Sequence, residues 1–229
     1  MSSLCRGLPV CLLASLPLLI AASPTVSRTD GCLFANTDGS TEAERCSDDT
    51  LQLMRDPTIA NAIRSMGLEG QSIRFEGCER ASFATISAPS ARELRFVVRY
   101  PILRDVPTSQ LVAPIVHELS HVVQVREAGS YAKFRAKLAD SRRVELGADF
   151  LAGVVFANYL SVGNLKYQNS LELVGRYRED SFAAHGTPGQ RNAAYRLGAY
   201  FLLNQPNFPL DLPKLHLDFQ ENGYADVVR

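Results

Sequence analysis

Along the chain, apolar residues recur with a period near 3.6, then near two, then near 3.6 again, and these changes predict the order of the elements. From Asp49, "DTLQLMRDPTIANAIRSMG" sets Leu51, Met54, Ile59 and Ile63 near helical spacing, with Pro57 suited to open a second helix and Gly67 to stop it. From Ile73 the period is two. "SIRFEG", "SFATIS" and "ELRFVVRY" are short β-prone runs separated by Gly, Pro and Ser clusters. In the last of them Leu94, Phe96, Val98 and Tyr100 share one face while Glu93, Arg95 and Arg99 share the other, as expected of an antiparallel strand suited to a sheet edge. After Pro107 helical spacing returns, with Val112, Ile115, Val116, Leu119, Val122 and Val123 on one stripe, Pro114 starting or kinking the helix, and Gly129 near its end. Further helices are predicted over 131–160, over "SLELVGRYRED" and over "TPGQRNAAYRLGAYFLL", the last opened by Thr187 as N-cap, Pro188 at the first position and Gln190 closing a capping box. A Pro-rich tail from Gln205 shows no period, and no internal repeat is visible.

The two ends differ in composition from the rest. Residues 1–22 contain a near-continuous apolar stretch, "LPVCLLASLPLLIAA", which is shorter than the roughly 20 residues of a membrane-spanning helix and ends in small residues. It reads as a secretory signal cleaved between Ala22 and Arg28, leaving a secreted or periplasmic protein without a stable membrane span. Residues 23–229 suit a single domain with one core, preceded by an irregular arm over 23–48 rich in Ser, Thr, Asp and Gly. Three cysteines remain after processing, Cys32, Cys46 and Cys78, and export predicts a disulfide between two of them. The 24 basic and 24 acidic side chains balance without long runs of one sign, which argues against a nucleic-acid partner.

Candidate chemistry centres on "PIVHELSHVVQ", residues 114–124. Four His and twelve Glu in 229 residues generate an H-E-x-x-H spacing by chance with a probability of about 0.004. On a helix, residues four apart point within about 40° of one another, so His117 and His121 can aim two imidazoles at one point with Glu118 beside them. Two neutral imidazoles suit Zn²⁺, and an adjacent carboxylate suits removal of a proton from water. The bland alternative is an amphipathic helix with two incidental histidines. A catalytic zinc needs a third protein ligand. "VELGADFLAGVVFANYL", residues 144–160, is apolar almost all round yet contains Glu145 and Asp149, and buried carboxylates need a partner. Also four apart, they can face the histidine pair together: Glu145 completing the ligand set, Asp149 accepting a ligating histidine's other ring N–H. Salt bridges to Arg142 or Arg143 are the alternative.

Together, "HELSHVVQ", "ELGADFLAG" and "SFAAHGTPGQR" resemble the neutral zinc metallopeptidases of the gluzincin type, over about residues 80–200. The resemblance implies an α+β, zincin-like fold in which a small antiparallel sheet packs on the metal-bearing helices. It implies one Zn²⁺ per chain on His117, His121 and Glu145, with Glu118 as general base and Asp149 behind the ligands, acting on a peptide or protein substrate. It adds His185, which stands before a helix N-terminus, either stabilising an oxyanion or tying the loop to the helix. A zinc-stabilised binding or scaffold module without turnover is the rival, and a hydrolase of non-peptide amides a third possibility. His216, in "KLHLDF", alternates with Lys214 and Asp218 on the polar side and reads as a surface residue.

Overall fold

The computed structural model describes residues 46–79, 84–89, 94–102, 108–136, 140–157, 185–203 and 211–229. In chain order these form β1 (Cys46–Asp48), α1 (Thr50–Met54), α2 (Pro57–Ser65), β2 (Ser72–Cys78), β3 (Ala84–Pro89), β4 (Leu94–Pro101), α3 (Thr108–Ala128), α4 (Tyr131–Ala136), α5 (Ser141–Val155) and α6 (Pro188–Leu203). Then follow α7 (Leu212–Asp218), a π-helical turn (Phe219–Gly223) and α8 (Tyr224–Val228). The expected signal over 1–22, most of the arm with Cys32, and the helix expected over 170–180 lie outside the described residues. No helix among the described residues is long and apolar enough to cross a membrane.

The fold is α+β, mostly helical, with one small sheet of order β1-β2-β4-β3. This sheet is mixed and not antiparallel as expected: β2 and β4 run parallel, with Ile73 beside Phe96 and Phe75 beside Val98, while β1 and β3 pair antiparallel on the outside. Nor is β4 at an edge, since it lies between β2 and β3. Alternation encodes which face of a strand is buried, and that part holds: Phe96, Val98 and Tyr100 are buried and Arg95 is exposed. It carries no information about which strand lies alongside. Cys46 and Cys78, opposite one another in the β1–β2 register, form a disulfide.

Local signals explain most helix ends. Asp56 Oδ1 accepts from Thr58 N and Ile59 N at 2.8 and 3.3 Å ahead of Pro57, and Gly67, at φ +62°, lets Leu68 N return to Ile63 O at 2.9 Å. The short α1 buries Leu53 and leaves the expected Leu51 76% exposed, because five residues cannot sustain the apolar spacing read across both helices. At α6 the capping box is present: Gln190 N donates to Thr187 Oγ1 at 3.2 Å and Thr187 N to Gln190 Oε1 at 3.0 Å. The predicted helix over 131–160 is divided by Asp140, whose carboxylate accepts from Arg143 N at 3.1 Å and so starts α5 afresh.

α3 is the central element, buried on every side from Leu111 to Val125, and it runs through Pro114 instead of starting there. Along α5, every residue from Val144 to Val155 is buried. α5 and α6 approach backbone to backbone: a Cβ on Gly153 would stand 2.0 Å from Tyr195 O, and one on Gly198 2.1 Å from Phe150 O. Only glycine permits that contact. The tail is also corrected. Leu212, Leu215, His216 and Phe219 form a buried stripe at helical spacing, α7 is capped by Asp211 Oδ1 accepting from Lys214 N at 3.1 Å, and Phe219 stacks on Phe150 with ring centroids 4.7 Å apart.

Candidate metal centre

α3 and α5 bring together the residues singled out from the sequence. His117 and His121 lie edge to face with ring centroids 4.8 Å apart, and ligand atoms of His117, Glu118 and His121 all fall within 4.8 Å of one another. This buried group could hold a metal ion. Glu145 reaches across from α5, with Oε2 3.2 Å from His117 Nε2 and Oε1 3.7 Å from His121 Nε2. None of these residues, nor Asp149, exceeds 2% exposure.

Each imidazole is held through Nδ1, so that its Nε2 faces Glu145. His117 Nδ1 stands 2.9 Å from Asp149 Oδ1. Asp149 is itself clamped by Arg191, whose Nε and Nη2 donate to Oδ2 and Oδ1 at 2.7 and 2.8 Å. His121 Nδ1 lies 2.7 Å from Gln124 Oε1. Gln124 Nε2 faces two acceptors, Val144 O at 2.9 Å and His216 Nε2 at 3.2 Å, and together they turn the amide with its oxygen toward His121. His121 must then carry its proton on Nδ1, leaving a lone pair on Nε2. That buried nitrogen makes no hydrogen bond among the described residues.

Electrostatics point the same way. Burial drives the His121 pKa down to about 4 against the opposing pull of Glu145, so the ring is neutral. For Glu145, burial alone would raise the pKa, but His121, His117 and His185 together hold the carboxylate well below its usual range. Burial likewise opposes ionisation of Asp149, and Arg191 and His117 overcome it, keeping that pKa low. Among the described residues, the ionised Glu145 carboxylate lies beside the His121 Nε2 that makes no hydrogen bond, while Arg191 balances Asp149. A divalent cation between the imidazole nitrogens and Glu145 would meet that carboxylate and engage the orphaned His121 nitrogen. The donor set therefore fits such an ion.

The proposed salt bridges of Glu145 and Asp149 to Arg142 or Arg143 are not what the structure holds: Arg143 instead pairs loosely with Asp140 at 3.9 Å and covers the Tyr224 ring. His185 is buried near Glu145, and it precedes Gly186, at φ +84°, ahead of the Thr187 cap. Three residues were missed. Arg191 ends the quoted "TPGQR" motif, and Gln124 lies three residues past His121 on the same helical face, so both had a readable signal. His216 was misassigned: it is buried, not on the surface, because its segment is helical where alternation suggested a strand.

No protein-family model, no curated protein and no solved structure matches this chain.

Proposed function

We propose that the chain is an exported zinc metallopeptidase of the gluzincin type with a zincin-like fold, carrying one Zn²⁺ on His117, His121 and Glu145 and cleaving peptide or protein substrates. The observation that carries this reading is the convergence of two pinned Nε2 atoms and one ionised carboxylate in a buried site that also contains Glu118. Bound there, zinc would act as a Lewis acid toward a carbonyl and make water easier to ionise. Glu118 takes the proton from the attacking water and returns it to the leaving amine, which accounts for an acidic side chain beside the three ligands. Asp149 holds His117 in one tautomer and orientation, and Arg191 holds Asp149. His185 donates a ring N–H toward the oxyanion. The outer position of β3 in the sheet suits an extended peptide adding as a further strand.

The test compares the wild-type protein with Glu118→Gln. Both should bind one zinc per chain, while the variant loses at least about 10²-fold in hydrolysis of a peptide library. Stoichiometric zinc without hydrolysis in either protein would select the second reading, a metal-stabilised binding or scaffold module, which the near-complete burial of the ligands favours. Absence of any bound divalent metal would reject both.

A further inference from the structure

The two histidines are supported unequally. His117 meets a carboxylate directly, whereas the support behind His121 continues beyond Gln124 into the C-terminal helices. Gln124 Nε2 has two hydrogens. One goes to Val144 O at 2.9 Å, and the other points to His216 Nε2, 3.2 Å away. That nitrogen is also approached at 2.9 Å by Gln220 Nε2, which donates to Arg143 O at 3.2 Å and is thereby oriented with its N–H groups outward. Facing two amide donors, His216 Nε2 accepts, and its proton resides on Nδ1, where Glu127 Oε2 receives it at 2.5 Å. An unbroken chain of donors and acceptors runs from Glu127 through His216 and Gln124 to His121.

We propose that His216 is a positioning residue for the metal centre, acting through Gln124 so that Glu127 serves His121 as Asp149 serves His117. The inference deepens the metallopeptidase reading and rests on it only in taking His121 as a ligand. Each link constrains the next: the Glu127 carboxylate fixes the His216 tautomer, His216 saturates the Gln124 amide, and Gln124 can then only accept from His121. Gly147 shows how closely the chain is fitted against α5. A Cβ there would lie 2.6 Å from His216 Nε2, 2.6 Å from Gln220 Nε2 and 2.9 Å from Gln124 Nε2. His216 is buried, and its bond with Gln124 is closed to solvent. α7 thereby tunes a centre to which it contributes no ligand.

The experiment uses the full chain with His216→Ala, His216→Gln and Glu127→Gln, and reads two quantities. Long-range proton–nitrogen NMR of the metal-free proteins reports the His121 tautomer, and competition against a chelator gives the zinc dissociation constant. Wild type should show His121 protonated on Nδ1. His216→Ala should give mixed tautomers and weaken zinc by roughly 10-fold. His216→Gln, whose amide oxygen can accept from Gln124, should restore most of both, which a general loss of packing would not allow. Glu127→Gln, which preserves shape and removes charge, covers the case in which His216→Ala does not fold, and should weaken zinc by a few-fold, roughly. A single unchanged His121 tautomer in folded His216→Ala, or in Glu127→Gln with wild-type zinc affinity, overturns the relay. A protein that binds no zinc leaves the tautomer measurement standing, so rejection of the metal reading is distinguishable from rejection of the relay.

Discussion

The supports of His117 and His121 solve one problem with different means. Behind His117, Asp149 is ionised, and its charge is balanced at once by a bidentate Arg191 from α6. Behind His121, a neutral amide intervenes, and the nearest carboxylate in the chain of hydrogen bonds stands two side chains further away, on α3 itself. The first is short, charged and unforgiving. The second is longer and distributes its contacts over α3, α5 and the tail. An ionic support stakes more on each partner, because either charge left alone in the interior lacks compensation, whereas loss of a neutral link leaves only dipoles unsatisfied.

Removing Asp149 should therefore produce the largest effect. Asp149→Ala strands Arg191 and is expected to destabilise the metal-free protein by about 3–5 kcal/mol, while Asp149→Leu combined with Arg191→Leu costs less than the sum of the two single changes. Denaturant unfolding of the four proteins measures this, and simple additivity would contradict a paired buried charge. Next in size is the metal itself. Zinc at 100 times its dissociation constant should stabilise the fold by about 2.7 kcal/mol, seen as a rise in Tm that a chelator reverses; a Tm indifferent to zinc would mean that the candidate centre is not a cation site.

Gln124→Leu should follow at about 1–3 kcal/mol in the metal-free protein, the cost of leaving the buried His121 Nδ1–H without its acceptor. Equal losses for Gln124→Leu and Asp149→Ala would erase the distinction between the two supports. The smallest effect is expected in the first half pH unit, roughly, of a descent into mild acid from pH 6.5. His121 is held neutral in the fold with a pKa of about 4, whereas in the unfolded chain it protonates near 6.5. Its contribution to stability is complete above about pH 6.5 and declines, at up to about 1.4 kcal/mol per pH unit, as pH falls toward 4. Glu145 and Asp149, with lowered pKa values, add losses only below the ordinary carboxylate range. Metal-free protein whose Tm is flat between pH 6.5 and 5 would mean that folded His121 takes up its proton over the same range as the unfolded chain.

What the sequence disclosed follows from how many residues each feature needs. His117, Glu118, His121, Glu145 and Asp149 were legible because two helices repeat a four-residue spacing, and a spacing of that kind fixes relative direction without any tertiary knowledge. Strand faces were legible for the same reason. Parallel pairing of β2 with β4 was not, since pairing is decided between segments and the same alternation serves either orientation. Arg191 escaped because a lone arginine on an amphipathic helix ordinarily faces water, and only the Gly153 and Gly198 contact brings α6 close enough to bury it. His216 shows the opposite failure: "KLHLDF" also fits alternation, and six residues are too few to separate a period of two from the buried stripe that includes Leu212 and Phe219.

The disulfide has a consequence for biosynthesis. Cys46 and Cys78 lie 32 residues apart, and both precede the first metal-centre residue, His117, in the order of synthesis. In the chain-entropy picture, closing a loop of that length removes roughly 4 kcal/mol of freedom from the unfolded chain, and it does so without α5, α6 or the tail. Chains generally fold from the end that is made first, so oxidation of the β1–β2 pair can be finished before the helices that converge on the candidate centre have all emerged. Thiol oxidation would then precede any metal loading at the candidate centre, and a nascent chain arrested after β4 is expected to hold its cross-link.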